Sequence, residues 1–158
     1  PLRTAARQTR LERYYWPYRR ALAALLAAKI ARFGYVYLLD LHSFAQYPHS
    51  SAAPADIVLG TDHDRTCPAP LRAALTRRLT TAGFSVAANH PFRGGDIVRH
   101  YGHQPRVRAM QLELRYHCYL GKRAYGEEVG ARYEPACFAQ AQRRLAVVPA
   151  WLAMLPAF

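Results

Sequence analysis

Two side chains in this sequence could carry out acid–base or metal chemistry from within apolar segments. The first is His42, which comes near the end of the run YVYLLDLHS, two residues after Asp40 and directly before Ser43. A neutral imidazole binds zinc well, and a neighbouring carboxylate can orient the ring. The same pattern suits a hydrogen-bonded histidine of the core, and the sequence leaves both interpretations open.

The second side chain is Glu113, which lies among apolar residues in the alternating segment AMQLEL. A buried carboxylate is costly unless it is paired or coordinated. Burial would also raise its pKa toward the range that a general base needs near neutral pH. The alternative is a structural salt bridge with one of the many arginines.

A glycine-rich segment, HPFRGGDIVR, could hold an anionic ligand. Gly94 and Gly95 would let the backbone approach a ligand closely, because neither has a Cβ atom. Arg93 and Arg99 could bind a carboxylate through paired hydrogen bonds. Paired glycines are common in turns, so this pattern alone does not establish a site.

Alternating helices and strands are predicted to position these residues. A helical apolar pattern runs from Thr9 to Phe33, is interrupted at Pro17 and ends at Gly34. Strands are predicted at 35–41, 56–60, 84–89 and within 106–120, and further helices at 69–82 and 135–148. The first strand is a continuous apolar run, typical of a strand buried on both faces, and we expect its polar end to lie at a ligand site.

Size and composition predict a single domain over residues 1–158, because 51% of the residues are hydrophobic. No apolar run is long enough to cross a membrane. Cys67, Cys118 and Cys137 form no CxxC pattern and suit a reducing cytoplasm, each as a small buried hydrophobic residue. The histidines other than His42, among them His117, show no metal-binding spacing, and most are expected at the surface.

The formal net charge of +12 would suit a nucleic-acid partner. However, all but two of the 22 basic residues are arginines, and they are dispersed along the chain rather than clustered. Dispersed charges of this kind are typical of solvated helix faces. We therefore do not expect nucleic acid to be the partner.

The motifs LLDLHS, DIVLGTDHDRTC, NHPFRGG, VRHYG and AMQLEL occur here in the order and spacing of the N-formylglutamate amidohydrolase family. The resemblance implies an α/β fold of the phosphorylase/hydrolase-like type, with a zinc-carboxypeptidase-like mixed sheet flanked by helices. It implies a Zn2+-dependent hydrolase that cleaves N-formyl-L-glutamate, or a related N-acyl amino acid, to formate and glutamate at the end of histidine degradation.

The resemblance also implies roles for individual residues. His42 would be a metal ligand supported by Asp40 and Ser43, and Glu113 would be the catalytic carboxylate. The residues that would bind the substrate are Asn89, Arg93, Gly94, Gly95 and Arg99.

The chain also departs from the family pattern. The family's first two zinc ligands lie in an N-terminal segment without a counterpart here, so we expect an N-terminally incomplete domain. Arg19 and Arg108 replace histidines, and Asp64 replaces a glycine. The sequence leaves open a truncated enzyme, a non-catalytic paralogue that binds a small dicarboxylate, and a site completed by another chain. Exposed sheet edges in an incomplete domain would favour a homodimer.

Overall fold

A computed structural model of the chain describes residues 4–45, 55–121 and 134–158. The chain divides into two compact units, one formed by residues 1–36 and 157–158 and the other by residues 37–156. The single domain expected from the sequence stays a prediction.

The first unit is helical. Helix α1 (Thr4–Arg10) continues through a π-helical turn, Leu11–Tyr15, into helix α2 (Trp16–Phe33). Pro17 lies in the first turn of α2, directly after the π-helical turn. Gly34 ends this helix with a φ of 84° and donates its N–H to the carbonyl of Ile30.

The apolar residues that recur along these helices are buried to different extents. Leu26 is buried, whereas Tyr14, Tyr18 and Leu25 are exposed. A helical period shows that apolar residues share one face, but it does not show that another element covers that face.

The second unit is built on a four-stranded mixed sheet, as predicted. Its strands are β1 (Val36–Phe44), β2 (Ile57–Gly60), β3 (Val86–Ala88) and β4 (Val107–Arg115), in the order β1-β4-β2-β3. Strand β2 is parallel to β3 and antiparallel to β4, with Val58 opposite Glu113 and Gly60 opposite Gln111. Because side chains alternate along a strand, Gln111 and Glu113 share one face of the sheet.

In the described part of the second unit, five helices accompany the sheet. They are α3 (Ala69–Thr81), α4 (Asp96–Gly102), α5 (His117–Leu120), α6 (Pro135–Leu145) and α7 (Val147–Leu152). The core joins the fully buried strand β2 to apolar side chains that include Leu75, Leu79, Phe84 and Trp151. Among the described residues, no helix has the length and apolar character needed to cross a membrane.

Strand β1 differs from the prediction in two ways. It runs on past residue 41 to Phe44, so that His42 also lies within the strand, on the same face as Asp40. It is also an edge strand of the described sheet, and Leu41 is 69% exposed. The apolar run is therefore not buried on both faces: residues 36–40 are half-buried and residues 41–43 are exposed.

Candidate functional site

Three of the predicted site residues meet where β1 and β4 are neighbours. Oδ2 of Asp40 lies 3.0 Å from Nε2 of His42, and Oε1 of Glu113 lies 3.9 Å from Nδ1 of the same ring. The side chain of His42 is 44% exposed and that of Glu113 only 7%. An accessible imidazole thus lies between two carboxylates, one of which is buried.

The environment of Glu113 favours its protonated form. Burial raises the pKa of Glu113 above its ordinary value, and the nearby Asp40 acts in the same direction. The hydrogen bond from Gln111 and the proximity of His42 oppose this rise without cancelling it. A carboxyl group whose pKa is raised in this way returns an accepted proton less readily to bulk water than an ordinary carboxylate does, which suits a group that must hand the proton on.

Gln111 connects Glu113 to the glycine-rich loop. Its Nε2 donates a hydrogen bond to Oε1 of Glu113, and its Oε1 accepts one from the N–H of Gly95. A Cβ atom on Gly95 would lie 3.2 Å from this acceptor, so the absence of a side chain there allows the close approach. The sequence did not assign Gln111 a role, although its place two residues before Glu113 on one face was a usable signal.

The two loop arginines are placed differently. Nη1 of Arg99 donates to the carbonyl of Gly94 at 3.2 Å, so this side chain braces the loop. Gly94 itself has a φ of 118°, a conformation that favours glycine. Arg93 is exposed, with its Nε 4.0 Å from Oδ1 of the buried Asp62. Arg93 is therefore the better placed of the two to meet a ligand.

Asn89 and Ser43, both predicted at the site, have other contacts. The side-chain oxygen of Asn89 accepts hydrogen bonds from the N–H groups of Thr61 and His63, at 2.8 and 3.2 Å. Ser43 points to the face of β1 opposite His42 and is hydrogen-bonded to Tyr119. Their predicted roles at the site stay predictions. In the structure the contacts of Asn89 organise a loop, and the contact of Ser43 lies at a strand end.

Three consecutive residues of the loop after β2 have a strained backbone. Asp62, His63 and Asp64 have φ values of 47°, 57° and 66°, in the left-handed region that residues other than glycine enter at a cost. Arg72 donates two hydrogen bonds to the carboxylate of Asp64, at 2.6 and 2.8 Å. These bonds are the main reason why the pKa of Asp64 lies below its ordinary value.

A second group of titratable side chains lies where β2 begins and β4 ends. Oδ1 of Asp56 is 2.9 Å from Nε2 of His117 and 3.6 Å from Sγ of Cys118, and the last two atoms are 3.7 Å apart. Among the described residues, this is the group whose donor atoms lie close enough together to hold a metal ion. His117 and Cys118 were expected to be an ordinary surface residue and a buried hydrophobic residue, whereas both contact a carboxylate.

Only one of the three cysteines fits the sequence expectation fully. Cys67 is buried in the core, while Cys118 and Cys137 are half-buried. Burial, together with the nearby Asp56, raises the pKa of the Cys118 thiol to about 12. In the absence of a metal this group is therefore a thiol and not a nucleophilic thiolate.

The surroundings of His42 do not complete a catalytic zinc centre from the described residues. Such a centre has three protein ligands and an open fourth position. Asp40 is engaged with His42, and Glu113 lies nearer to the other ring nitrogen. Further donors would have to come from outside the described part of the chain.

Comparisons with known proteins agree on one family. The family model of N-formylglutamate amidohydrolase matches residues 1–120 of this chain. N-formylglutamate deformylases from Pseudomonas aeruginosa and Pseudomonas putida are 38% and 35% identical to the chain over 118 residues. These matches cover 72% of the chain and 44% of each relative, so the chain spans less than half the length of these curated relatives.

Solved structures support the fold. An N-formylglutamate amidohydrolase from Ralstonia eutropha is 32% identical and superimposes with a TM-score of 0.79, over 95% of this chain and 53% of that one. A gene product of Agrobacterium tumefaciens matches with a TM-score of 0.67 at 19% identity, a likeness of fold alone. The predicted fold class, a mixed sheet flanked by helices, is confirmed.

Proposed function

The chain belongs to the N-formylglutamate amidohydrolase family, and from that premise we propose that it carries the general base of a hydrolase for N-formyl-L-glutamate or a related N-acyl amino acid. The observation that supports this proposal best is the pair formed by Glu113 and His42, 3.9 Å apart. A buried carboxylate beside an accessible imidazole can accept a proton from a water molecule and release it again.

Glu113 would act twice in such a reaction. It takes a proton from water as the water oxygen bonds to the formyl carbon, and it gives that proton to the nitrogen as the C–N bond breaks. The products are formate and glutamate. The raised pKa of Glu113 suits both steps, because burial favours the protonated form that must donate in the second step.

Zinc dependence is part of the proposal, with His42 as one ligand. Asp40, 3.0 Å away, would orient the ring. A zinc ion bound there would polarise the amide carbonyl and lower the pKa of a bound water to about 7. Because the described residues offer an incomplete donor set, we expect the other ligands to come from chain outside them, or from another molecule.

Arg93 is the residue proposed to bind a carboxylate of the substrate. Its guanidinium is exposed at the start of the glycine-rich loop, and that loop contacts Gln111 through Gly95. Arg99 would act indirectly, by holding the carbonyl of Gly94. A substrate with two carboxylates suits this positive surface better than a neutral amide.

The test is formate release from N-formyl-L-glutamate by the 158-residue chain, with added zinc and again with a chelator. We expect release that the chelator abolishes and that Glu113→Gln reduces by about 100-fold or more. Glu12→Gln, a matched change at an exposed glutamate, should have no effect. Unchanged release by Glu113→Gln would exclude the assigned role of this carboxylate.

A second candidate is a non-catalytic protein that binds a small dicarboxylate on the same fold. The incomplete donor set around His42 and the presence of Arg19 and Arg108 in place of histidines favour it. Glutamate would then raise the melting temperature without any turnover, and Arg93→Ala would remove that shift. Absence of a shift with any dicarboxylate would exclude this candidate.

A further inference from the structure

We propose that Asp56, His117 and Cys118 form a zinc site that is separate from His42 and fastens the start of β2 to the end of β4. The three side chains come from two places far apart in the sequence, and they share no atom with the group formed by His42, Asp40 and Glu113. The proposal therefore stands independently of the proposed hydrolase function.

The distances between the donor atoms fit an ion with tetrahedral coordination. A zinc ion has bonds of about 2.3 Å to sulfur and about 2.0 Å to nitrogen or oxygen. In a tetrahedral site with these bonds, any two ligand atoms lie about 3.3–3.6 Å apart. The Asp56–Cys118 and His117–Cys118 distances are 3.6 and 3.7 Å. The Asp56–His117 distance of 2.9 Å is that of a hydrogen bond and would lengthen slightly around an ion.

The carboxylate of Asp56 is already held in the orientation that this site requires. Its Oδ2 accepts the N–H of Ser85 at 2.9 Å, while its own N–H donates to Oγ of Ser85 at the same distance. This leaves Oδ1 directed at both His117 and Cys118. Hydrogen bonds from outside the ligand set are what fix ligand orientation in metal sites.

The donor chemistry favours zinc over harder cations. Calcium and magnesium prefer sites made of oxygen atoms, whereas a set of one thiolate, one imidazole and one carboxylate is typical of zinc. Three protein ligands would leave a fourth position for water. His117 and Asp56 are only half-buried, so solvent can reach that position.

Two features limit the affinity. Nδ1 of His117 is buried and has no hydrogen-bond partner among the described residues, although a ligating histidine usually donates its second N–H. The guanidinium groups of Arg115 and Arg144 also act electrostatically on His117 and Cys118. The charge cost is small, however, because the thiol loses its proton on binding, so that a dication adds only one positive charge to the site.

Cobalt absorption offers a direct test, because a thiolate bound to cobalt gives a charge-transfer band that histidine and carboxylate ligands do not. We expect the full chain to develop this band on titration with cobalt, and Cys118→Ser to lose it. Cys137→Ser, a matched change at another half-buried cysteine, and His42→Ala should both keep it. Absence of the band in the wild type, or its survival in Cys118→Ser, would overturn the proposal.

Thermal unfolding with zinc provides a second readout that does not involve activity. Zinc should raise the melting temperature of the wild type and of His42→Ala, because a ligand that binds only the folded state stabilises it. The shift should be much smaller in Cys118→Ser, whose fold can be checked by circular dichroism. Equal shifts in Cys118→Ser and the wild type would contradict a zinc site at this position. Failure of formate release, by contrast, would leave this result untouched.

Discussion

Gln111 donates a hydrogen bond to Glu113 and accepts one from the backbone of Gly95. One amide side chain thus joins the proposed general base to the loop that carries Arg93 and Arg99. Gln111 and Glu113 are both buried, so water cannot easily replace either bond. The position of the carboxylate and the position of the loop proposed to bind substrate are therefore coupled through a single residue.

The first prediction concerns Gln111→Leu. This change removes a hydrogen bond that favours the ionised form of Glu113, so the pKa of Glu113 should rise further. We expect formate release to fall by about 10- to 100-fold and the acid limb of its pH–rate profile to move to higher pH. Gln104→Leu, at an exposed glutamine, is the control. A loss of rate with no movement of the acid limb would show that Gln111 acts through the loop alone.

The second prediction concerns Asp40→Asn. The carboxylate 3.0 Å from Nε2 holds the His42 ring, and an amide of the same size would hold it less well. We expect the zinc concentration that gives half-maximal formate release to rise by about 10- to 100-fold. Asp96→Asn, at an exposed aspartate, should leave it unchanged. An unaltered zinc requirement in Asp40→Asn would contradict an orienting role.

Those parts of the fold with strong local signals could be predicted from the sequence. Strand β2 (57–60) is a short apolar run, and α3 (69–81) has a helical period and ends before Gly83. The extent of β1 could not be predicted, because Asp40 and His42 resemble the polar end of a buried strand. In the structure they are the polar face of an edge strand.

The candidate site was only partly predictable for a different reason. His42 and Glu113 carry recognisable chemistry, and their contact follows from the neighbouring positions of β1 and β4. The contact between Asp56 and His117 depends on how close the start of β2 and the end of β4 lie in space, and no local spacing in the sequence indicates that. Asn89 could equally have faced a ligand, and only its hydrogen bonds to the backbone of the loop after β2 show where its amide is used.

The third prediction is that the exposed edge of β1 mediates a homodimer. Among the described residues β1 is an edge strand, Leu41 on it is 69% exposed, and an apolar strand at a sheet edge favours association. We expect the wild type to sediment as a dimer and Leu41→Asp as a monomer. Met154→Asp, at a similarly exposed apolar residue in the C-terminal segment, should not affect association. A monomeric wild type would exclude the dimer.

The fourth prediction uses the left-handed backbone at Asp64. Asp64→Ala keeps the φ of 66° and loses both hydrogen bonds from Arg72, whereas Asp64→Gly loses the bonds but relieves the strain. We expect both variants to be less stable than the wild type, with alanine below glycine by about 1 kcal/mol. Urea unfolding measures the order. Equal stability of the two variants would show that the backbone at this residue is not strained.

The fifth prediction is the pH dependence of the same ion pair. Because Arg72 holds the pKa of Asp64 below its ordinary value of 3.8, the pair stabilises the fold fully above that pH. This contribution is lost as the pH falls from the ordinary value toward and through the lowered pKa of the folded state, because the unfolded chain takes up the proton first. Asp64→Asn removes the titrating group, so the difference in unfolding free energy between wild type and variant should be constant from pH 7 to about pH 5 and should shrink below about pH 4. Carboxylates of folded proteins titrate down to about pH 2. A difference in unfolding free energy that stays constant down to that pH would contradict the pairing of Asp64 with Arg72.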